Sequence, residues 1–375
     1  MAEARALTVG IDASRATIAQ KTGTDRYSAR ILEAVLALGT RHRFRLYLNA
    51  RQPLPLALRA GDRQRLIPFP RLWTHARLSA ELAGHPPDAL FVPAHVVPLV
   101  HPRASVVTIH DLGYLYEPEA HPVARRLALD LTTRWSARAA ARVIAISGAT
   151  RDDLVRRYAV PAEKITVIHH GVDGAFQPPL EAEVARVRER YQLPARYLLS
   201  VGTLQPRKNL ARLIAAFERL AAEDEELGLI LAGKTGWLAG TIEAALTASP
   251  ARARITLTGH VPDADLPALY GGAAAFAFPS LYEGFGMPAL EAMACGTPVL
   301  VSDRGSLPEI VGPAAEVVDP LDVAAIAHGL ERALDPATRA RRIAAGRQRA
   351  AGFTWERAGA QTLATIEQAV EESRR

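Results

Sequence analysis

The sequence predicts an α/β protein built from two doubly wound, Rossmann-like parallel-sheet domains in tandem. Short β-rich apolar runs alternate with longer helical patterns along the whole chain, which is how βα units with parallel crossovers look in sequence. The series restarts after a polar, charged stretch at 174–196. The length of 375 residues also suits two cores, at roughly 100–200 residues per domain.

In the first half, Leu7–Ile11, Phe44–Leu48, Ala89–Val92, Val106–Ile109, Val143–Ile146 and Ile165–Ile168 read as strands. Helical stretches lie between several of them: Asp25–Leu38, Val123–Ala140, and Ala149–Tyr158 with Ser147 placed to cap it. In the second half the strands are Tyr197–Val201, Leu229–Ala232, Ile255–Thr258, Ala274–Phe278, Val299–Ser302 and Glu316–Val318. The helices between them include Leu210–Ala222, Ala264–Tyr270, Pro288–Ala294 and Val323–Leu334. The tail is helical over Ala337–Ala351 and Thr354–Glu372. The expected organisation is a first domain over 1–180, a second over 181–352, and a last helix at 353–375 packing back on the first. Ligands of such sheets bind beyond the carboxyl ends of strands, so the post-strand loops of both halves are expected to face a cleft between the domains.

Composition narrows the function. With 49% apolar and 22% charged residues the chain is globular, and nothing in it is biased toward disorder or fibre. The net charge of +6 is uneven: residues 1–180 carry 24 basic and 15 acidic side chains, and residues 181–375 carry 21 and 24. No basic run with interleaved aromatics and no zinc-finger or RNA-binding signature appears, so nucleic acid is not an expected partner. One cysteine, Cys295, excludes an intramolecular disulfide and a multi-cysteine metal site. The start, MAEARALTVGID, lacks a secretory pattern and no segment has a membrane-span length of apolar residues, which points to the cytoplasm. Only four basic residues are lysines, Lys21, Lys164, Lys208 and Lys234, so a lysine in a site stands out.

Two motif matches compete. GLILAGKT at 228–235 fits a P-loop pattern, but its variable residues Leu229, Ile230, Leu231 and Ala232 form the body of a strand and not an open phosphate loop. GFGMPA at 284–289 fits a dinucleotide fingerprint and opens a helix, with Asp303 downstream, which makes an NAD-dependent oxidoreductase a competing reading. Against it, five residues, Pro279 to Glu283, separate the glycines from their strand. The first βα turn of either half also lacks the pattern.

The segment FAFPSLYEGFGMPALEAMACGTPVLVSD at 276–303 carries the most chemistry. Glu283 lies ahead of a helix start and Glu291 on the side of that helix, with the amides of Gly284, Phe285, Gly286 and Met287 expected to be open between them. Such a helix start favours a phosphate or a dense set of hydroxyls. Upstream, SVGTLQPRKNL at 200–210 places Gly202, Thr203 and the cations Arg207 and Lys208 between a strand and a helix. Two cations there oppose the helix dipole, which calls for an anionic ligand, and a compact lysine suits a diphosphate.

These residues resemble the retaining glycosyltransferases of the family-four type, which have the two-Rossmann-domain GT-B fold. The resemblance rests on VGTLQPRKNL, LTGHVPDADLPALY and PSLYEGFGMPALEAMACGTPVLVSD. In the first half it rests on VVTIHDLGYL, AISGATRDDL and KITVIHHGVD, so that it spans most of 104–335. It implies that Arg207 and Lys208 hold the donor diphosphate, that Glu283 contacts the donor sugar and Glu291 the nucleotide ribose. The Gly284–Met287 backbone would meet sugar and phosphate, and the loop at Gly259–Val261 would lie beside the base. His110, at a strand end with Asp111 behind it, matches the family histidine near the anomeric end, and Asp111 is a candidate acceptor contact. Gly23 and Thr24 match the glycine loop before the first helix, in a thinner form than usual. Thr203 stands where many relatives have arginine, which shifts the phosphate onto Arg207 and Lys208.

The resemblance implies transfer of a hexosyl group, mannose by preference, from a GDP- or UDP-linked sugar to a hydroxyl of a glycan or lipid-linked glycan. Retention, no metal ion and no cofactor go with it. Besides the oxidoreductase, a non-catalytic two-domain sugar-binding protein is the other competing class. The stretch 124–142, with Arg125, Arg126, Arg134, Arg138 and Trp135 among leucines, is a candidate for peripheral contact with anionic lipid at the inner face of a membrane.

Overall fold

The computed structural model describes residues 5–18, 23–116, 122–236 and 240–375. It forms two compact units, one of the residues up to Gly171 together with Thr354–Arg375, the other of Val172–Phe353.

The first unit carries β1 (Thr8–Asp12), β2 (Arg43–Leu48), β3 (Arg63–Leu66), β4 (Ala89–Val92), β5 (Ser105–Ile109), β6 (Arg142–Ala145) and β7 (Ile165–Val167). Its helices are α1 (Gly23–Ala37), α2 (Ser79–Gly84), α3 (Gly113–Tyr116), α4 (Val123–Ala139) and α5 (Gly148–Tyr158). All strand pairs are parallel, in the order β3-β2-β1-β4-β5-β6-β7. The central strands β4 and β5 are buried along their whole length, which is why ALFV and SVVTI lack a polar face. Alternate residues feed two layers: Phe91 and Val106 pack with Ile31, Leu32 and Ile366, while Leu90, Val92 and Val107 pack with Leu82, Leu154 and Tyr158. β3 was not legible in sequence, because RQRL is an exposed edge strand without an apolar run. Ser147 caps α5 as expected, its Oγ accepting from the Thr150 N–H at 3.1 Å.

The second unit carries β8 (Arg196–Val201), β9 (Leu227–Ala232), β10 (Ile255–Gly259), β11 (Ala275–Phe278), β12 (Val299–Ser302) and β13 (Glu316–Val318). Its helices are α6 (Glu181–Tyr191), α7 (Leu210–Glu223), α8 (Gly240–Ala248), α9 (Leu266–Gly271), α10 (Met287–Ala294), α11 (Leu307–Val311), α12 (Val323–Leu334) and α13 (Pro336–Ala351). The sheet is again parallel, in the order β10-β9-β8-β11-β12-β13. Leu213, Phe217 and Leu220 of α7 and Ile326 and Leu330 of α12 cover one face of it. Leu229–Ala232 are the buried body of β9, so the P-loop match is a strand.

The unit boundary falls at Gly171/Val172 and not at 180. The Val172 N–H donates to the Phe353 carbonyl at 2.9 Å, and Pro179 packs so closely on Gly271 that a Cβ there would come within 2.3 Å of its ring. The last helix, α14 (Trp355–Ser373), belongs to the first unit and packs on α1, with Gly359 against Ala34.

Both sheets have a switch point where the strand order reverses, between β1 and β4 in the first and between β8 and β11 in the second. Ligands of doubly wound sheets bind beyond the carboxyl ends of the strands at such points. Among the described residues no helix is long and apolar enough to cross a membrane.

Candidate active site

The loops that leave β8 and β11 flank the switch point of the second sheet, and each carries one half of a charged cluster. After β8 the chain passes Gly202 (φ +146°), turns through a short 3-10 segment at Pro206–Lys208, and enters α7 from Asn209 (φ +58°). The turn directs Lys208 back over the strand end. Its Nζ lies 4.3 Å from the centre of the Phe278 ring, and a Cβ on Gly202 would stand 3.1 Å from its Cε.

From the other side, the loop after β11 brings Glu283. Lys208 Nζ donates to its Oε1 at 2.7 Å, and Arg207 Nη1 lies 2.8 Å from its Oε2. Arg207 also donates to the Tyr282 carbonyl, and its own carbonyl accepts the Leu281 N–H at 2.8 Å, so the two loops are joined by backbone as well as charge. The carboxylate and the ammonium are each 11% exposed. Burial alone would raise Glu283; Arg207 and Lys208 outweigh it and hold the carboxyl down to about 2. Burial likewise pushes the Lys208 ammonium down to about 8, with Glu283 restoring part of the loss. At neutral pH the cluster is therefore ionised, with two cations sharing one anion, a net positive charge suited to a diphosphate.

Three residues that sequence reasoning passed over build this cluster. Asn209 is buried, and its Nδ2 donates to the carbonyls of Pro279 (3.0 Å) and Pro320 (2.7 Å), tying the β8 turn to the end of β11. The single hydroxyl hydrogen of Ser306 is shared between the carbonyls of Glu283 (3.0 Å) and Phe285 (2.7 Å). Gly305 (φ +59°) lets its backbone pass so close to the Glu283 loop that a Cβ would come 2.6 Å from the Glu283 carbonyl oxygen. The sequence signals were an asparagine directly before a helix, where its tolerance of left-handed geometry counts, and a Gly-Ser pair after a strand.

The amides of Gly284–Met287 are not the open run that was expected. Gly284, Phe285 and Gly286 are buried and Met287 half-buried, because Ser306 and Leu307 press on this loop. The Phe285 ring meets Phe353 at 6.1 Å. Glu291, on α10, is buried and accepts from the Tyr270 hydroxyl at 2.9 Å. Gly259 (φ +68°) ends β10 beside Gly233, and Val261 in the loop after it is buried, while Thr203 is exposed.

The first unit puts a different group at its strand ends. His110 follows β5 and is buried, with Nε2 2.9 Å from the Pro93 carbonyl at the end of β4. A carbonyl only accepts, so Nε2 carries the hydrogen and Nδ1 keeps its lone pair. Burial first, then the neighbouring His95, push the imidazole down to about 3, so it is neutral. Its ring meets the Tyr27 ring edge-on at 4.8 Å. Asp111 is held locally, its Oδ1 accepting the Gly113 N–H at 2.8 Å. Gly23 and Thr24 begin α1, and a Cβ on Gly23 would meet none of the described residues within 4 Å. Within their own units the structure joins Arg207, Lys208 and Glu283 in one cluster and leaves Thr203, Val261 and Glu291 outside it.

Known proteins fit this geometry. Residues 23–176 match the sequence family described as Glycosyltransferase Family 4, and residues 183–349 match the one described as Glycosyl transferases group 1. The chain is 37% identical over 262 residues to the O-antigen chain mannosyltransferase B of Escherichia coli, 69% of each chain. It is 35% identical over 241 residues to the MMP alpha-(1->4)-mannosyltransferase of Mycolicibacterium hassiacum, 62% of this chain and 56% of that one. The sucrose-phosphate synthase structure from Thermosynechococcus elongatus has the same fold, with a TM-score of 0.75 at 23% identity over 97% of this chain and 99% of that one. Two parallel sheets of this strand order and matches across both units make the chain a GT-B enzyme, and it belongs to the retaining glycosyltransferases of family four.

Proposed function

We propose that the enzyme transfers mannose from GDP-mannose to a hydroxyl of a glycan or lipid-linked glycan. The observation that carries a nucleotide-diphosphate donor is the convergence of Arg207 and Lys208 on the switch point of the second sheet. The mannosyl group is supported by the names of the two mannosyltransferases above. The diphosphate takes the place of part of the Glu283 contact, and Lys208 and Arg207 neutralise the charge that grows on it as the bond from the anomeric carbon to phosphate oxygen breaks. No divalent cation or cofactor is needed for that neutralisation, and turnover should survive chelation by EDTA.

In this reading Glu283 binds and orients. A carboxyl held near 2 does not serve as an acid at neutral pH. The acceptor oxygen attacks from the face the phosphate leaves, forming the new bond at the anomeric carbon with retention, and its proton passes to the departing phosphate oxygen. Neutral His110, with Nε2–H given to Pro93, offers Nδ1 to a hydroxyl of the donor sugar. Glu291 takes the ribose, Gly202, Thr203, Gly284–Met287 and Val261 line the donor, and Gly23, Thr24 and Asp111 lie toward diphosphate and acceptor.

The enzyme works in the cytoplasm at the inner face of a membrane. Val123, Leu127, Leu131 and Trp135 recur every fourth residue on α4 and are 62, 54, 66 and 41% exposed. Arg125, Arg134 and Arg138 are exposed on the same helix, a composition suited to anionic lipid. The decisive experiment is a thermal-shift comparison of GDP-, UDP-, ADP- and dTDP-sugars. GDP-mannose should give the largest shift; a larger shift with another nucleotide overturns the donor assignment.

A further inference from the structure

Trp355 is 245 positions from His110 in sequence, yet in the first unit only two aromatic rings, His170 and Tyr27, stand between them. Trp355 opens α14 and stacks on His170, with ring centres 5.8 Å apart and planes 23° apart. His170 lies on Tyr27 at 4.6 Å, and Tyr27 meets His110 edge-on at 4.8 Å with the planes at 86°. His170 and His110 are themselves 5.9 Å apart. Tyr27 is fixed at its far end as well, its hydroxyl 3.1 Å from Thr108 Oγ1 in β5, two residues before His110.

The end of the stack at Trp355 is closely packed. A Cβ on Gly171 would come 2.2 Å from the Trp355 amide nitrogen and 2.6 Å from its Cγ, so the chain at 171 and the start of α14 are in close contact. Thr354 caps α14, its Oγ1 accepting from the Arg357 N–H at 3.2 Å. The indole Nε1 donates to none of the described residues, so the ring faces are what Trp355 contributes to the protein here.

His110 Nε2 has one hydrogen bond, to Pro93, and that bond leaves the ring free to tilt about it. Packing supplies the remaining restraint. We propose that Trp355 is a positioning residue: through His170 and Tyr27 it holds the His110 ring in the orientation and tautomer that present Nδ1 to the substrate. This rests on the reading of His110 as a substrate contact. It gives the returning C-terminal helix a part in the chemistry besides its packing on α1.

Long-range ¹H–¹⁵N spectra of histidine-labelled protein test the proposal, with His110 assigned by comparison with His110→Ala. Wild type and Trp355→Phe should show one His110 tautomer, with the hydrogen on Nε2, while Trp355→Ala mixes the two. Turnover of the sugar nucleotide that gives the largest thermal shift should fall roughly tenfold in kcat for Trp355→Ala, with KM within about twofold, the scale on which residues acting through packing modulate a site. Trp355→Phe should restore it. Unchanged His110 resonances in Trp355→Ala overturn the proposal, as does Trp355→Phe behaving like Trp355→Ala. Should Trp355→Ala not fold, Trp355→Leu serves for the same comparison. If His110→Ala keeps wild-type turnover, the reading of His110 fails, whatever the spectra show of Trp355.

Discussion

In the second unit the loops beyond β8 and β11 bring two cations onto one carboxylate, whereas in the first unit the ends of β4 and β5 carry a neutral histidine packed among rings. The strand order around the two switch points is the same. Bulk charge runs the other way: the first unit has 27 basic and 18 acidic residues, the second 18 and 21. The charged cluster thus lies in the more acidic unit, and its positive charge comes from Arg207 and Lys208. The fold fixes where chemistry is done, and a few side chains fix what it is.

The charged cluster acts on stability in two opposing directions. Glu283 is held down to about 2 from its usual 4.5, which favours the folded state at neutral pH, while Lys208 is pushed down to about 8 from 10.5, which opposes it. The two effects are opposite in sign, because burial costs each charge and the pairing repays part of it.

The comparison breaks most sharply at Lys208. Lys208→Ala should lower kcat by about 10²-fold or more, the loss typical of one preorganised charge-stabilising donor, and an unchanged rate in steady-state kinetics would falsify its role. Gly305→Ala comes next. The new methyl group has to displace the Glu283 carbonyl in a left-handed backbone, so donor affinity should fall about tenfold and the unfolding free energy by about 2–3 kcal/mol.

The third test separates the units by pH. Lys208 loses its charge as pH rises through about 8, so kcat/KM should fall on the alkaline side from there, and Lys208→Arg should move that limb upward. His110 is already neutral, so no limb should appear between pH 5 and 7; one that vanished in His110→Ala would contradict the neutral-ring assignment. For folding, the Glu283 contribution is complete above about 4.5 and is lost as pH falls toward 2, while the Lys208 penalty is relieved as pH rises above 8. The smallest effect is expected of Ser306→Ala. It removes the hydroxyl hydrogen shared by two carbonyls of the Glu283 loop and should cost about 1–3 kcal/mol in denaturant unfolding, with a modest rise in donor KM.

The same contrast governs what could be read in the sequence. Arg207, Lys208 and Glu283 were visible because charges between a strand and a helix in an arginine-rich chain need a reason. Twelve of the strands could be placed within a few residues because buried parallel strands are continuous apolar runs, though β13 is partly exposed. The edge strand RQRL has no such run and was missed. The covered state of Gly284–Gly286 was not legible either, since it depends on Ser306 and Leu307, about twenty residues on. The ring stack was hidden for a simpler reason: Tyr27, His110, His170 and Trp355 are ordinary core residues until the fold brings them together.

Calorimetric titration with GDP and with UDP, neither carrying a sugar, tests the central claim that the diphosphate is held by the β8–β11 cluster of the second unit. The preferred nucleotide should bind wild type and His110→Ala alike and lose about 10²-fold in affinity in Lys208→Ala. Equal affinity in wild type and Lys208→Ala, or a loss confined to His110→Ala, would contradict it.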